Sequence, residues 1–224
     1  AYILLDKAQT LVDKFPTYMS LVDALGRRER YAEALEVVQQ ALEHLGEFPQ
    51  RRHILFIMRE WLSVTRAFRR HTDDEIMQLP KMLDPDKLMA MELLIQLAHR
   101  SYMCGNRATA ITATFRQLQI TFRFGLGGAS AMAITSYGML QSGRFGDPVW
   151  CCRMGQLARK VLHLTKETRL KAFSLSVNAA TIEPWFVPLT LVMETMHAAH
   201  VSAMETGDFE TGFRSFFHFQ SISY

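Results

Sequence analysis

Glu194 and His197 form an E-x-x-H pair, and His200 follows three residues later. On a helix these three side chains fall along one face, the spacing used by di-iron carboxylate bundles. Such a site needs a second E-x-x-H and two further facing carboxylates, and the chain has no second pair. The spacing therefore predicts a partly buried polar helix edge, with no metal ligands. Cys104, Cys151 and Cys152 fall short of a zinc set, because adjacent cysteines do not readily turn to one ion and no C-x-x-C occurs. They are expected to pack as small hydrophobes. Gly125-Leu126-Gly127-Gly128 could cradle a phosphate on backbone N–H groups. It follows a helical pattern, though, and no lysine stands at the required place, so it reads as a helix stop and joint. No G-x-S-x-G nucleophile elbow occurs. The expectation is no catalytic, cofactor-binding or metal-binding residue.

Two surface features remain. Arg52, Arg59, Arg66 and Arg70, joined by Arg51 and Arg69, line one side of a helical pattern and form a candidate interaction surface. A basic amphipathic helix can meet an anionic membrane, a nucleic acid or an acidic partner. The competing reading is a solvated face, since Ile54, Ile57, Trp61, Val64 and Phe68 on the other side supply a core stripe. Phe209, Phe213, Phe216, Phe217 and Phe219 crowd the last helical pattern and are expected to pack between helices. Left uncovered, they would drive self-association through an exposed end.

The elements that would position these groups are helices. Periodicity near 3.6 runs through Tyr31–Leu45, Gln50–Arg70, Asp86–Cys104, Arg107–Phe124, Gly128–Gln141, Pro148–Leu164, Glu167–Thr181, Pro188–Thr206 and Asp208–Gln220. No stretch alternates with period two. With 49% hydrophobic residues the chain can build a core, and its 12 Gly and 7 Pro are too few for the many tight turns of a β-sandwich. A net charge of +3 is too weak to imply a nucleic-acid partner. Three cysteines give no disulfide framework, which points to a reducing compartment and a cytoplasmic location. No apolar run reaches the roughly 18 residues of a membrane span. Pro16, Pro148 and Pro188 sit where a first helical turn would accept them. The first residue is Ala1, and the chain reads as a segment truncated at both ends.

Breaks at Gly46, Asp84, Gly125, Thr165 and Gly207 lie 38 to 42 residues apart, with a second set roughly midway between them. The spacing predicts helical hairpins over 17–46, 47–84, 85–125, 126–165 and 166–207, a solenoid of about 10–12 helices forming a single array over 1–224. Tyr18, Leu21, Val22, Leu25, Tyr31, Ala34, Val38 and Ala41 occupy the large, small and aromatic positions of a tetratricopeptide repeat, with Pro49 just beyond. Later units keep the length and lose the signature: Leu97, Ala98 and Ala110 fit, whereas Thr114 and Gln117 do not.

Four stretches carry a wider resemblance: LPKMLDPDKLMAMELL (79–94), GNRATAITATFRQLQITFRFG (105–125), SYGMLQSGRFGDPVWCCRMGQLARKVL (136–162) and METGDFETGFRSFFHF (204–219). They resemble the tetratricopeptide-like helical region that follows the P-loop ATPase module of large multidomain sensor-kinase signalling proteins. The resemblance implies a non-catalytic scaffold or relay segment contacting other proteins or flanking domains of its own chain. ATP would belong to the parent's ATPase module, because this chain has no G-x-x-x-x-G-K-[ST] loop and no kinase motif. A free-standing peptide-binding repeat protein and an α-helical enzyme are the alternatives. The first would need polar residues converging on one groove, the second clustered titratable groups in a cleft.

Overall fold

The computed structural model describes residues 11–48, 54–144 and 147–223. Arg51, Arg52 and Pro49 lie outside the described residues. Among the described residues there are eleven α-helices, one 3₁₀ turn and no strand. The helices are α1 (Leu11–Gly26), α2 (Tyr31–His44), α3 (Ile54–Arg70), α4 (Asp73–Met77), α5 (Pro85–Met103), α6 (Arg107–Phe124), α7 (Gly128–Arg144), α8 (Pro148–Thr165), α9 (Lys171–Thr181), α10 (Leu189–Thr206) and α11 (Phe209–Ser223), with the 3₁₀ turn at Glu183–Trp185. No described helix is long and apolar enough to cross a membrane.

Local chemistry explains the helix starts. Asp84 accepts from the N–H groups of Asp86 (2.9 Å) and Lys87 (3.2 Å), with Pro85 in the first turn of α5. Asp147 and Pro148 repeat the device at α8, where Asp147 accepts from Trp150 N–H at 3.1 Å. Asn106 caps α6, and Asp208 caps α11 after Gly207 closes α10 at φ +75°, a conformation that suits glycine. Thr72 and Glu75 form a reciprocal capping box at α4. Two prolines differ from expectation. Pro16 lies inside α1, because the helical pattern already runs from Leu11, and its missing N–H forgoes one bond within that helix. Pro188 precedes the first residue of α10.

The chain divides into two compact units. The first holds α1, α2, α3, α5 and α6. Helices α1 and α2 pair, burying Tyr18, Leu21, Val22 and Leu25 against Ala34, Val38, Ala41 and Leu42. Helix α5 packs on this pair and on α6, and α3 packs on α6. The α3 stripe is only partly core. Val64 and Phe68 are buried, with the Phe68 and Phe122 ring centroids 5.0 Å apart edge to face, but Ile54 is exposed, along with Leu55, Met58 and Leu62. Thr114 and Gln117, the departures from the repeat signature, are buried with their polar groups satisfied. Thr114 Oγ1 donates to the Ala110 carbonyl (3.1 Å) and Gln117 Nε2 to that of Met91 (3.1 Å).

The second unit holds α4 and α7–α11. Helices α7 and α8 pair, as do α10 and α11, and α9 contacts α7, α8, α10 and α11. Two buried hydroxyl pairs mark its register. Thr135 on α7 meets Ser174 on α9 at 2.9 Å, and Ser215 on α11 donates to Ser176 on α9 at 2.9 Å; each pair is 39 residues apart. Helix α4 packs on α8, tied by Arg153 Nε to Asp73 Oδ1 at 2.7 Å. Within the expected 47–84 interval, α3 and α4 thus belong to different units.

Candidate functional site

The sequence between α9 and α10 builds a candidate site. Pro184 has no N–H to extend α9, so the chain turns through Glu183–Trp185, with the Phe186 and Val187 N–H groups donating to the Glu183 carbonyl at 2.9 and 3.0 Å. Pro188 then precedes α10. This compact turn places Glu183 among α8, α9 and α10, in a cleft of about 450 Å³. Gly155 on α8 permits a close approach, because a Cβ there would lie 2.6 Å from Asn178 Oδ1.

The cleft is polar at its base and apolar on its walls. Glu183 is 7% exposed and Asn178 3%. Arg159 of α8 pairs with Glu183 Oε1 and donates to Thr195 Oγ1 of α10 at 2.8 Å. Asn178 Nδ2 donates to the same Glu183 Oε1 at 3.2 Å. The other halves of both groups are unspent: Glu183 Oε2 and Asn178 Oδ1 are buried acceptors without a hydrogen-bond donor. Leu175, Ile182, Phe186, Val187 and Leu191 supply apolar wall, and Glu194 stands at the lining as well. Buried acceptors without donors are unfavourable by about 1–3 kcal/mol each, so the arrangement favours a ligand that brings N–H groups. Clefts of this size are within the range of about 300–1,000 Å³ that hold small ligands.

A second buried carboxylate lies in the first unit and is closed. Glu47 follows Gly46 at the end of α2 and is 5% exposed. Lys87 Nζ of α5 donates to its Oε1 at 2.7 Å, and Arg116 Nε of α6 to its Oε2 at 2.6 Å. Both oxygens are engaged, which makes it a staple.

The residues singled out in the sequence sort differently. Glu194 and His197 are exposed, and His200 donates from Nδ1 to the Gly212 carbonyl at 2.9 Å. Among the described residues no group of three or more His, Cys, Asp and Glu side chains is gathered to hold a metal. Cys104 is exposed, Cys152 half-buried and Cys151 buried, and burial pushes the Cys151 thiol above its ordinary pKa. In the glycine stretch the N–H groups of Gly125, Leu126 and Gly127 donate to the Thr121 carbonyl, the Pro80 carbonyl and Ser130 Oγ. Those N–H groups are taken up by the chain itself.

Arg59, Arg66 and Arg70 are exposed on α3. Arg59 pairs with Glu60 at 3.0 Å and lies 5.0 Å from the centre of the Phe56 ring. Phe209, Phe213, Phe216 and Phe217 are 45–67% exposed, while Phe219 packs against Ala179, Val192 and Met196. The expected packing between helices therefore holds for Phe219 and in part for Phe216, whose ring centroid lies 5.4 Å from that of His200 on α10, and fails for Phe209, Phe213 and Phe217, which are mostly exposed.

Sequence spacing alone does not reveal the cleft, because its residues come from three helices and one turn. Its local signals were Gly155 and Arg159 one turn apart on α8, and an asparagine and a glutamate flanking a helix end.

No protein-family model matches the chain, and no curated protein or solved structure is significantly similar to it. Among the described residues, fold and site together define an all-α protein with a carboxylate staple at Glu47 and a polar-based cleft at Glu183.

Proposed function

We propose that the chain is a non-catalytic helical-repeat segment that makes protein–protein or interdomain contacts. The observation that carries this reading is the pair of buried hydroxyl contacts, Thr135–Ser174 and Ser176–Ser215, each spanning 39 residues. Equivalent positions of successive units meet in this way when helical hairpins stack. The tetratricopeptide-like positions buried between α1 and α2 support it further. On the resemblance of 79–94, 105–125, 136–162 and 204–219, the segment serves a cytoplasmic ATPase-linked signalling protein. It relays or restrains movement between a nucleotide-dependent switch and an output module, with ATP held by that separate module.

An in-register deletion tests the repeat. Removing residues 136–174 takes out one 39-residue period and joins Thr135 to Leu175, helix to helix in phase. A repeat array keeps its helicity per residue and a cooperative melt; a fold without repeats loses both. The signalling context is tested by the flanking coding sequence, where a G-x-x-x-x-G-K-[ST] loop upstream is expected and its absence refutes the ATPase link.

A second reading, a free-standing peptide-binding repeat protein, is favoured by the convergence of Gln156, Arg159, Asn178, Glu183 and Thr195 on one cleft. It shares the repeat and the contact role and differs in lacking the ATPase partner.

A further inference from the structure

The α8–α9–α10 cleft carries two details that a structural role leaves unexplained. The first is its unspent acceptors. Arg159 and Asn178 Nδ2 both serve Glu183 Oε1, while Glu183 Oε2 and Asn178 Oδ1 receive nothing, although both residues are more than nine-tenths buried. Glu47 shows what a purely structural carboxylate does in this chain: each oxygen has its own cation. The second detail is charge. Arg159, Glu183 and Glu194 are the charged side chains lining the cleft, and together they carry one formal negative charge in excess.

From these we infer that the cleft seats the charged end of a lysine or arginine side chain presented by a partner polypeptide. The inference rests on the reading of this segment as a contact module and names the chemistry it recognises. A single ammonium or guanidinium supplies the N–H donors that Glu183 Oε2 and Asn178 Oδ1 require. It also neutralises the excess charge. Charge-assisted bonds of this kind are about twice as strong as neutral ones. The methylene stem of the same side chain lies on the apolar wall of Leu175, Ile182, Phe186 and Val187. Arg159 bridges Glu183 Oε1 and Thr195 Oγ1, which holds the carboxylate by one oxygen and leaves Oε2 for a donor that the ligand brings. An anionic ligand fits poorly, because it would bring more acceptors to acceptors.

The test uses the intact chain and four probes in calorimetric titration. These are a capped five-residue peptide with a central arginine, the same peptide with citrulline, the same with glutamate, and agmatine as a free guanidinium. The arginine peptide is expected to bind at least about tenfold more tightly than the citrulline and glutamate peptides, and more tightly than agmatine. Glu183→Gln should weaken the arginine peptide by about tenfold or more, and Glu194→Gln, at an exposed position, by a smaller factor. Melting curves confirm that each variant is folded, and the Glu194 variant keeps the test decisive if the Glu183 variant is not. Equal binding of arginine and citrulline peptides, or none by any probe, overturns the inference. So does agmatine binding as tightly as the peptide, which would make the ligand a small cation. A preference for the glutamate peptide sinks the basic side chain and leaves the contact role standing. If instead the 39-residue deletion unfolds while the arginine peptide still needs Glu183, the repeat reading fails and the cleft's chemistry survives.

Discussion

Glu47 and Glu183 are both more than nine-tenths buried, both reach a cation, and both follow the end of a helix, yet they are built to different ends. Glu47 is clamped from both sides by Lys87 and Arg116, and so ties the end of α2 to α5 and α6. Glu183 is held on one oxygen only and leaves the other without a donor, as Asn178, which also lines the cleft, leaves its Oδ1. Taking a carboxylate out of water is unfavourable by several kcal/mol unless its lone pairs are met. A carboxylate met on both oxygens has no further use for a partner; one met on a single oxygen still does. The contrast separates a staple from a site without any appeal to position in the chain.

The contrast is broken most forcefully at the staple. Glu47→Ala leaves Lys87 and Arg116 facing each other without their shared anion, and is expected to lower unfolding stability by about 2–3 kcal/mol, Arg116 being partly solvated. Urea denaturation measures it, and a loss under about 0.5 kcal/mol would mean that Glu47 ties nothing. Glu183→Gln removes charge from an ion pair whose arginine is substantially exposed, so the expected loss is below about 1 kcal/mol. A loss as large as that of Glu47→Ala would make Glu183 a staple too.

Glu75 sharpens the comparison from the surface. The Thr72 N–H and hydroxyl bonded to its carboxylate hold its pKa below the ordinary glutamate value. A lowered folded pKa stabilises above the unfolded value and is lost as pH falls, so the α4 cap weakens from the ordinary carboxylate range downward. Side-chain NMR titration should place Glu75 below a peptide glutamate; a value at or above it would contradict the capping box. The smallest effect belongs to α3. Replacing Arg59 and Arg66 by Glu should change stability by less than about 0.5 kcal/mol and leave helicity intact, read by circular dichroism. A large loss would show that the arginine face is covered.

What was legible in the sequence was local. Asp84-Pro85, Asp147-Pro148 and Gly207-Asp208 announce helix ends because a cap involves residues within three positions of one another. The apolar stripes of α1 and α2 were legible for the same reason, as their spacing is set by the helical repeat. Pairings across the chain were not. Nothing near Ile54 says that α3 packs on α6 by Phe68 and leaves Leu55 and Leu62 to solvent, and nothing near Asp73 names Arg153, 80 residues away. The cleft was hidden for that reason: Arg159 stands 24 residues from Glu183 and 36 from Thr195. The E-x-x-H and glycine motifs stood out because their spacing is local, and there the structure shows an exposed helix edge and a joint whose N–H groups bond within the chain.

One titration addresses the staple and the site together. In a sample with ¹³C-labelled glutamate side chains, the carboxyl carbons of Glu47 and Glu183 are followed by NMR as the arginine peptide is added. The Glu183 resonance is expected to move in a saturable way while Glu47 stays in place. A stationary Glu183, or equal movement of the two, would contradict the distinction between a closed carboxylate and an open one.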